Sequence, residues 1–319
     1  FDSAHPNQIE RDKFLKGRKE QIFNKLTDYF TQIWDIVKDF DRVRYVIHKD
    51  YYRRELGYLL LDPAEVNRRI YQKPLGYAGD YGIMNYIYDY SGDTAFLGVS
   101  TYERLINNYT CNIPVSRSNV ARKNFLKEEI AKVVAENNNP KIISLGCGSA
   151  RELIEILNEG KIDKPTMFKC LDLEQEALRY IEKSIEAIPL DKKRLLSISY
   201  LHRDITSIIR DKKVKEDVAG CNLVYLSGVY DYLSDKMAER IVKELYALLE
   251  SGGQLIICNI SSENNTHRAY YELLGEWCMI HRTKEEMLSW GEKLGGIKVE
   301  FANPSDGKGY HFLVVKKKQ

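Results

Sequence analysis

The chain has 319 residues, 44% of them hydrophobic, with 48 basic and 46 acidic side chains and a net charge of +2. That near-neutral balance excludes a general binder of nucleic acid or of membrane surfaces, and the length points to about two domains. No run approaches about 18 apolar residues, so no membrane span is expected.

Residues 1–138 read almost wholly helical. Phe14, Leu15, Ile22, Phe23, Leu26, Tyr29, Phe30 and Ile33 follow helical spacing, and a second helix runs through Val43, Tyr45, Val46 and Ile47. Asp62-Pro63 reads as a helix start, with Asp62 as N-cap. Ser116 reads as the cap of a helix whose face carries Val120, Phe125, Leu126, Ile130 and Val133. Asn137-Asn138-Asn139-Pro140 ends that helix and sets the expected boundary between a helical cap, 1–138, and a second domain, 139–319. Inside the cap, 71–82 interrupts the helical pattern with glycines, a proline and three tyrosines. It reads either as a turn between helices or as a loop that closes over a ligand, with Tyr77 and Tyr81 on it.

From Lys141 strands alternate with helices. Strands are expected at 141–146, 167–172, 195–201, 222–227 and 254–260. Helices are expected at about 149–159, at 174–187, and from Ser234 to Glu250, the last closed by Gly252-Gly253. A helical insert, 261–295, precedes two strands, 298–301 and 311–315, whose short Gly- and Pro-bearing connection suits an antiparallel hairpin. The fold class is α/β: a doubly wound, mostly parallel seven-stranded sheet with a C-terminal antiparallel hairpin and a helical N-terminal cap.

Residues 141–172 spell strand, glycine turn, helix, strand, acid, a βαβ unit suited to a nucleoside. Gly146 and Gly148 let the backbone turn sharply and approach a ligand, and Asp172 can accept both ribose hydroxyls. A dinucleotide fingerprint needs glycine at position 151, where this chain has Arg151. Tyrosine is abundant, 22 against 10 Phe and 3 Trp, which suits half-wet pocket walls. Six cysteines, at 111, 147, 170, 221, 258 and 278, form no C-x-x-C pair and read as reduced and buried. With no secretory signal in view, the expected location is cytoplasmic.

That element order, with Ser-Leu-Gly-Cys-Gly-Ser-Ala (144–150), Cys-Leu-Asp-Leu-Glu-Gln-Glu-Ala-Leu (170–178), His-Arg-Asp-Ile (202–205), Asn222–Ser227 and Gly252-Gly253, resembles the class I S-adenosylmethionine-dependent methyltransferases. The resemblance implies their Rossmann-like fold and S-adenosyl-L-methionine as cofactor. It places Gly146, Cys147, Gly148 and Leu173 at the cofactor and Asp172 on the ribose. Asp204 would take the adenine amino group, Ile205 would pack on the ring, and Ser227 would face the sulfonium. Two positions depart from the pattern: Ser144 stands where the family usually has an acid, and Ala150 where it often has glycine. Arg151 and Glu152 are the candidates to compensate.

Lys73–Tyr81, Leu145–Glu152 and Ser227–Leu233 together are similar to a bacterial methyltransferase group that makes 3-hydroxypalmitic acid methyl ester, an extracellular signalling factor. This implies a small-molecule acceptor, a fatty acid or other carboxylate, and brings Tyr77 and Tyr81 to the cofactor. Methyl transfer from a sulfonium demands alignment and exclusion of water; a carboxylate acceptor needs no strong base, whereas an amine or hydroxyl does. Tyr230, Asn259 and His267 are the candidate catalytic residues, with Asp231 either beside them or capping the next helix. Arg268, Tyr271 and Trp277 are the candidates for acceptor binding. Cysteine and histidine spacing gives no metal site, no nucleophile elbow occurs, and no basic stripe marks a nucleic-acid face. The remaining expectations are no stable membrane association and a monomer or homodimer. Two other readings stand beside methyl transfer: chemistry on the aminobutyrate arm of the cofactor, releasing methylthioadenosine, and a non-catalytic nucleoside-binding module.

Overall fold

The computed structural model describes all residues except 1, 4, 6, 93, 94, 264–266, 295–297, 303–308 and 319. It divides into two compact units, Phe1–Val120 with Asn264–Cys278, and Ala121–Glu263 with Met279–Gln319. Among the described residues no helix is long and apolar enough to cross a membrane.

The first unit is helical: α1 (Gln8–Val37), α2 (Arg42–Leu60), α3 (Glu65–Gln72), α4 (Tyr81–Tyr90), α5 (Thr101–Asn112) and the start of α6 (Pro114–Glu136). Local signals set its boundaries. Asn7, Asp41, Asp80 and Ser100 each cap a helix with a side-chain oxygen. Two expected caps differ. The helix after Asp62-Pro63 starts later, at Glu65, behind Ala64 and without a side-chain cap. Ser116 lies inside α6, which begins on Pro114 at the favoured first position; its hydroxyl donates instead to Thr110 O at 2.6 Å. A six-residue π-helical turn, Ala269–Leu274, joins this unit although it follows the fifth strand in sequence. It does so because Tyr270 is an aromatic plug: its ring meets Phe30 at 4.8 Å and Tyr109 at 5.2 Å.

The second unit holds the rest of α6, then β1 (Lys141–Leu145), α7 (Arg151–Asn158), β2 (Thr166–Asp172), α8 (Gln175–Glu186), α9 (Leu190–Lys193) and β3 (Leu196–His202). It continues with α10 (Ser207–Arg210), α11 (Lys212–Val218), β4 (Cys221–Leu226), α12 (Asp235–Leu248) and β5 (Leu249–Ile260). It closes with α13 (Lys284–Glu292), β6 (Lys298–Ala302) and β7 (Tyr310–Lys316). The sheet order is β3-β2-β1-β4-β5-β7-β6. Strands β1 to β5 pair in parallel, while β7 is antiparallel to both β5 and β6. The hairpin connection foreseen in the sequence falls at 303–308, outside the described residues.

Strand alternation sorts the core. Ile143, Leu145, Val224, Leu226, Leu255, Ile257, Leu313 and Val315 pack with Ile241, Val242 and Leu245 of α12. Each such buried aliphatic side chain contributes about 1.5–3 kcal/mol. Phe168 and Tyr225 meet at 6.4 Å, and Phe125 of α6 meets Phe312 at 4.5 Å. Gln254 donates to Glu129 of α6 at 2.9 Å. These contacts tie residues 121–136 to the sheet and move the division upstream of the expected 138/139. Gly252-Gly253 also differs from expectation. α12 has already ended at Leu248, and the pair lies within β5, where a Cβ on Gly253 would stand 2.6 Å from Cys221 O. Five of the six cysteines are buried and free; Cys278 is exposed, against the expectation for it.

Candidate functional site

In the second unit, β1 ends on a loop with three consecutive left-handed positions in alternation: Gly146 (φ +63°), Gly148 (φ +53°) and Ala150 (φ +42°). Glycine fits the first for two reasons, its backbone sign and Val229, whose Cγ2 would lie 2.2 Å from an added Cβ. At Gly148 an added Cβ would meet nothing within 4 Å, so the backbone faces open space.

The loop is fastened to the end of β2. Gly146 N–H and Cys147 N–H donate to Leu171 O at 2.8 and 3.2 Å, and Gly148 N–H donates to Asp172 Oδ2 at 2.8 Å. All three amides are thereby spent, leaving no amide nest for a phosphate at these residues. Asp172 receives a second backbone bond, from Glu174 N–H to Oδ1 at 2.9 Å. Burial pushes its pKa up, and the Glu174 and Gly148 amides only partly offset this. The Cys147 thiol and the Leu173 amide lower it as well, and an ionised Asp172 is the acceptor that a vicinal diol requires.

Neighbouring strand ends complete the edge. β2 and β3 pair as far as Asp172 and His202, and Arg203 N–H donates to Asp172 O at 3.0 Å. Leu173 is exposed, with its carbonyl 2.8 Å from His202 Nε2. Asp204 is exposed and oriented by Thr206, whose amide and hydroxyl both reach Oδ1 at 2.6 Å. Ile205 is half-buried against the core, and Ser227 is half-buried just past β4. Gly146, Cys147, Gly148, Asp172, Leu173, Asp204, Ile205 and Ser227 thus gather after the carboxyl ends of β1 to β4, where open α/β sheets bind ligands.

Beneath this edge lies a buried polar group. The Tyr225 hydroxyl donates to Glu152 Oε1 at 2.7 Å, and both side chains are buried. Burial raises the Glu152 pKa, with Tyr225 and Arg122 opposing. Ser144 pairs in register with Tyr225, so Glu152 brings a carboxyl from α7 towards the strand position that carries serine. Arg122 of α6 is buried over the Tyr310 ring at 4.6 Å. Its Nη1 lies 3.1 Å from where a Gly228 Cβ would be, which explains glycine there.

Two proposed catalytic residues of this unit are corrected. Tyr230 is fully buried, packs on Trp290 at 5.6 Å and directs its hydroxyl to Ala238 O at 3.4 Å. Asn259 is fully buried and spends its amide on Ile260 O (3.0 Å), Ile280 O (2.8 Å) and Arg282 Nη1 (2.6 Å). Both are packing residues without a surface to offer a substrate. Asp231 is likewise buried; it accepts from Ile260 N–H at 2.7 Å and does not cap α12. The organiser of this region is Arg282. It also donates to Tyr230 O at 2.7 Å, to Leu233 O and to Asp235 Oδ1, and it stacks on Trp290 at 5.1 Å.

The other candidates lie in the first unit. Tyr77 and Tyr81 are half-buried, the first in the turn before α4 and the second at the first residue of that helix. There the buried Asp80 caps α4 and accepts a two-point ion pair from Arg69, at 3.0 Å from Nε and 2.8 Å from Nη2. His267 is buried, with Nε2 2.9 Å from Thr27 Oγ1. Arg268 is corrected as a carboxylate clamp: its Nε is committed to Glu272 at 2.7 Å and its guanidinium stacks on Trp34 at 4.4 Å. Tyr271 and Trp277 line an apolar cleft together with Ile70, Ile87, Ile113 and Leu274. Among the described residues no group of three His, Cys, Asp or Glu side chains is placed to hold a metal.

Sequence reasoning missed Arg122 and Tyr225. Arg122 had a signal: with Asn119, Leu126, Glu129 and Val133 it falls on one three-and-four-spaced face of α6, so a charge is aimed at the core. Tyr225 had none, since a tyrosine in a strand reads as packing.

No protein-family model matches the chain, and no curated protein matches it. Solved structures do. A possible exported protein from Bordetella parapertussis is 14% identical, with 94% of this chain and 97% of that one covered and a TM-score of 0.59. The S-adenosylmethionine-dependent methyltransferase SibL, in its apo form, is 17% identical, with 80% and 74% covered and a TM-score of 0.49. Magnesium protoporphyrin IX methyltransferase from Synechocystis, with its bound cofactor, is 12% identical, with 64% and 84% covered and a TM-score of 0.44. The first of these is a likeness of fold.

Proposed function

We propose that the sheet unit binds S-adenosyl-L-methionine on a Rossmann-like class I methyltransferase fold, and that the chain methylates a small molecule, a carboxylate first among acceptors. The observation that carries this is the clamp between the glycine loop and Asp172. Its amides are turned inward, so it suits an uncharged ribose and not a pyrophosphate. Open space over Gly148 and the oriented Asp204 fit the rest of a nucleoside. The cofactor, when bound, supplies a methyl group on an activated sulfonium. The chain's own residues would orient the ribose at Asp172, flank the adenine with Leu173 and Ile205, and exclude water. Tyr230, Asp231 and Asn259 are locked into packing, so none of the three serves as a base. A carboxylate acceptor, already ionised at neutral pH, needs none.

Isothermal titration with S-adenosylmethionine, on the native chain and on Asp172→Ala, tests the reading. Binding lost in the variant, with S-adenosylhomocysteine formed in the presence of a carboxylate acceptor, is the expected result. Unchanged binding in the variant would remove the ribose from Asp172. Methylthioadenosine as product would replace methyl transfer by chemistry on the aminobutyrate arm, and binding without turnover would leave a nucleoside-binding module.

A further inference from the structure

We propose that the outer face of α2 is an interaction surface for a second copy of this chain, and that two α2 helices pair antiparallel across it. The inner face of the helix is occupied. Arg53 Nε donates to Leu273 O at 3.0 Å, Lys49 Nζ pairs with Glu276 Oε1 at 2.7 Å, and Leu60 is buried. At about 100° per residue, Val43, Ile47, Tyr51, Arg54 and Tyr58 fall within about 80° of arc on the opposite side. A helix face that meets only water carries polar residues. Here Val43, Ile47, Tyr51 and Tyr58 are 50–68% exposed, with Val46 exposed beside them. The periodic residues that mark α2 in the sequence, Val43, Val46 and Ile47, thus turn away from the core. Together the five leave about 500 Å² of largely apolar surface open, the size of patch that marks an interaction site.

The charges on this face select the partner. Positions 43, 47, 50 and 54 are spaced by four, three and four residues, as in the seam of a coiled coil, and the last two hold Asp50 and Arg54. Asp50 is exposed, lies in the field of Arg53 and makes no ion pair among the described residues. Arg54 is exposed too. Its guanidinium lies over the Tyr51 ring at 5.4 Å, and its ion pair with the neighbouring Glu55, at 3.2 Å, stays in water.

An antiparallel pair with its twofold axis between positions 50 and 51 sets Val43 against the partner's Tyr58, and Ile47 against the aliphatic stem of the partner's Arg54. The guanidinium of that arginine then comes within one helical turn of Asp50. The twofold axis makes this contact twice, so the face is self-complementary, as an isologous dimer requires. With Arg44, Asp50, Arg54 and Glu55 included it measures about 900 Å², against the roughly 800 Å² that each partner gives to a standard interface. The exposed charges of α2 are Arg42, Arg44 and Arg54 against Asp50 and Glu55. That near balance suits a second copy and lacks the basic excess that an anionic lipid surface selects.

Sedimentation equilibrium of the full chain, without S-adenosylmethionine, tests this. A reversible monomer–dimer equilibrium with a micromolar Kd is the expected result, and Ile47→Glu should weaken it about tenfold or more. Asp50→Arg and Arg54→Asp should each do the same, because each sets like charges against one another across the twofold axis. The double variant carrying both exchanges restores opposite charges and should return to within about threefold of the native Kd. An unfolded or loosened chain cannot give that recovery. A monomer at every concentration up to about 200 μM, a dimer that Ile47→Glu leaves intact, or a double variant as weak as the single ones would each overturn the proposal. So would a monomer that binds vesicles of anionic phospholipid and loses them on Ile47→Glu, which would give the face to a membrane.

Discussion

Tyr225 and Glu152 are joined by a buried 2.7 Å hydrogen bond that ties the end of β4 to the first turn of α7. Deleting the donor leaves a buried carboxyl short of a partner. Tyr225→Phe should therefore cost about 1–3 kcal/mol in urea unfolding. The pH dependence follows from the Glu152 pKa, which burial raises above its ordinary 4.5. A raised carboxyl pKa means that the folded state holds the proton longer than the unfolded one. The protein then loses stability as pH rises from the unfolded value through the folded one. Glu152→Gln should flatten that fall, and Tyr225→Phe should steepen it.

Asp172 follows the same sign with a functional consequence. Its raised pKa keeps part of the population protonated at pH values where a free aspartate is already ionised. Ribose hydroxyls donate to the ionised form, so uptake of S-adenosylmethionine should expel a proton in that window. Affinity should rise with pH until the carboxyl is fully ionised and then level off. Titrations in buffers of different ionisation enthalpy read the proton directly. Asp172→Asn should abolish both the proton release and the pH slope, while the folded chain survives.

The two loop glycines should fail in different ways. Gly146→Ala combines a left-handed residue with a Cβ placed 2.2 Å from Val229 Cγ2. It should lose stability by roughly 2–5 kcal/mol, the sum of backbone strain and overpacking. Gly148→Ala meets no atom of the chain, so its stability loss should stay near about 1–2 kcal/mol. Its methyl group points into the space assigned to the ligand, and S-adenosylmethionine affinity should fall about tenfold or more. Equal affinity for Gly148→Ala and the native chain would move the ligand away from this loop.

The sheet was legible because its signals are local. Apolar runs, Gly146, Gly148 and Asp172 follow one another within 32 residues, and strand alternation needs no distant partner. What failed depended on partners far along the chain. Tyr230 and Asn259 follow β4 and end β5, where catalytic groups are expected, yet Arg282 arrives from within the insert and consumes them. Arg268 looked like a free fork until Glu272 and Trp34 claimed it. The insert itself divides, because the Tyr270 ring finds its apolar partners on α1 and α5. Aromatic pairing across more than 150 residues leaves no trace in periodicity.

Arg282 gives the sharpest contrast in magnitude. Its guanidinium is 1% exposed and holds two carbonyls, the Asn259 amide and Asp235, whose own side chain is 81% exposed. An ion pair with one partner in water is worth little, so Asp235→Asn should change stability by less than about 1 kcal/mol. Removing the arginine strands the carbonyls of Tyr230 and Leu233 and the Asn259 oxygen in the interior. Arg282→Ala should therefore cost about 3–5 kcal/mol. Arg282→Lys should recover only part of it, since one ammonium cannot span acceptors that a planar fork reaches together. Trp290 lies under the guanidinium at 5.1 Å, and its fluorescence reports the loss of that contact. If Asp235→Asn and Arg282→Ala proved equally mild, the turn after β4 would be held by its apolar packing and not by this arginine.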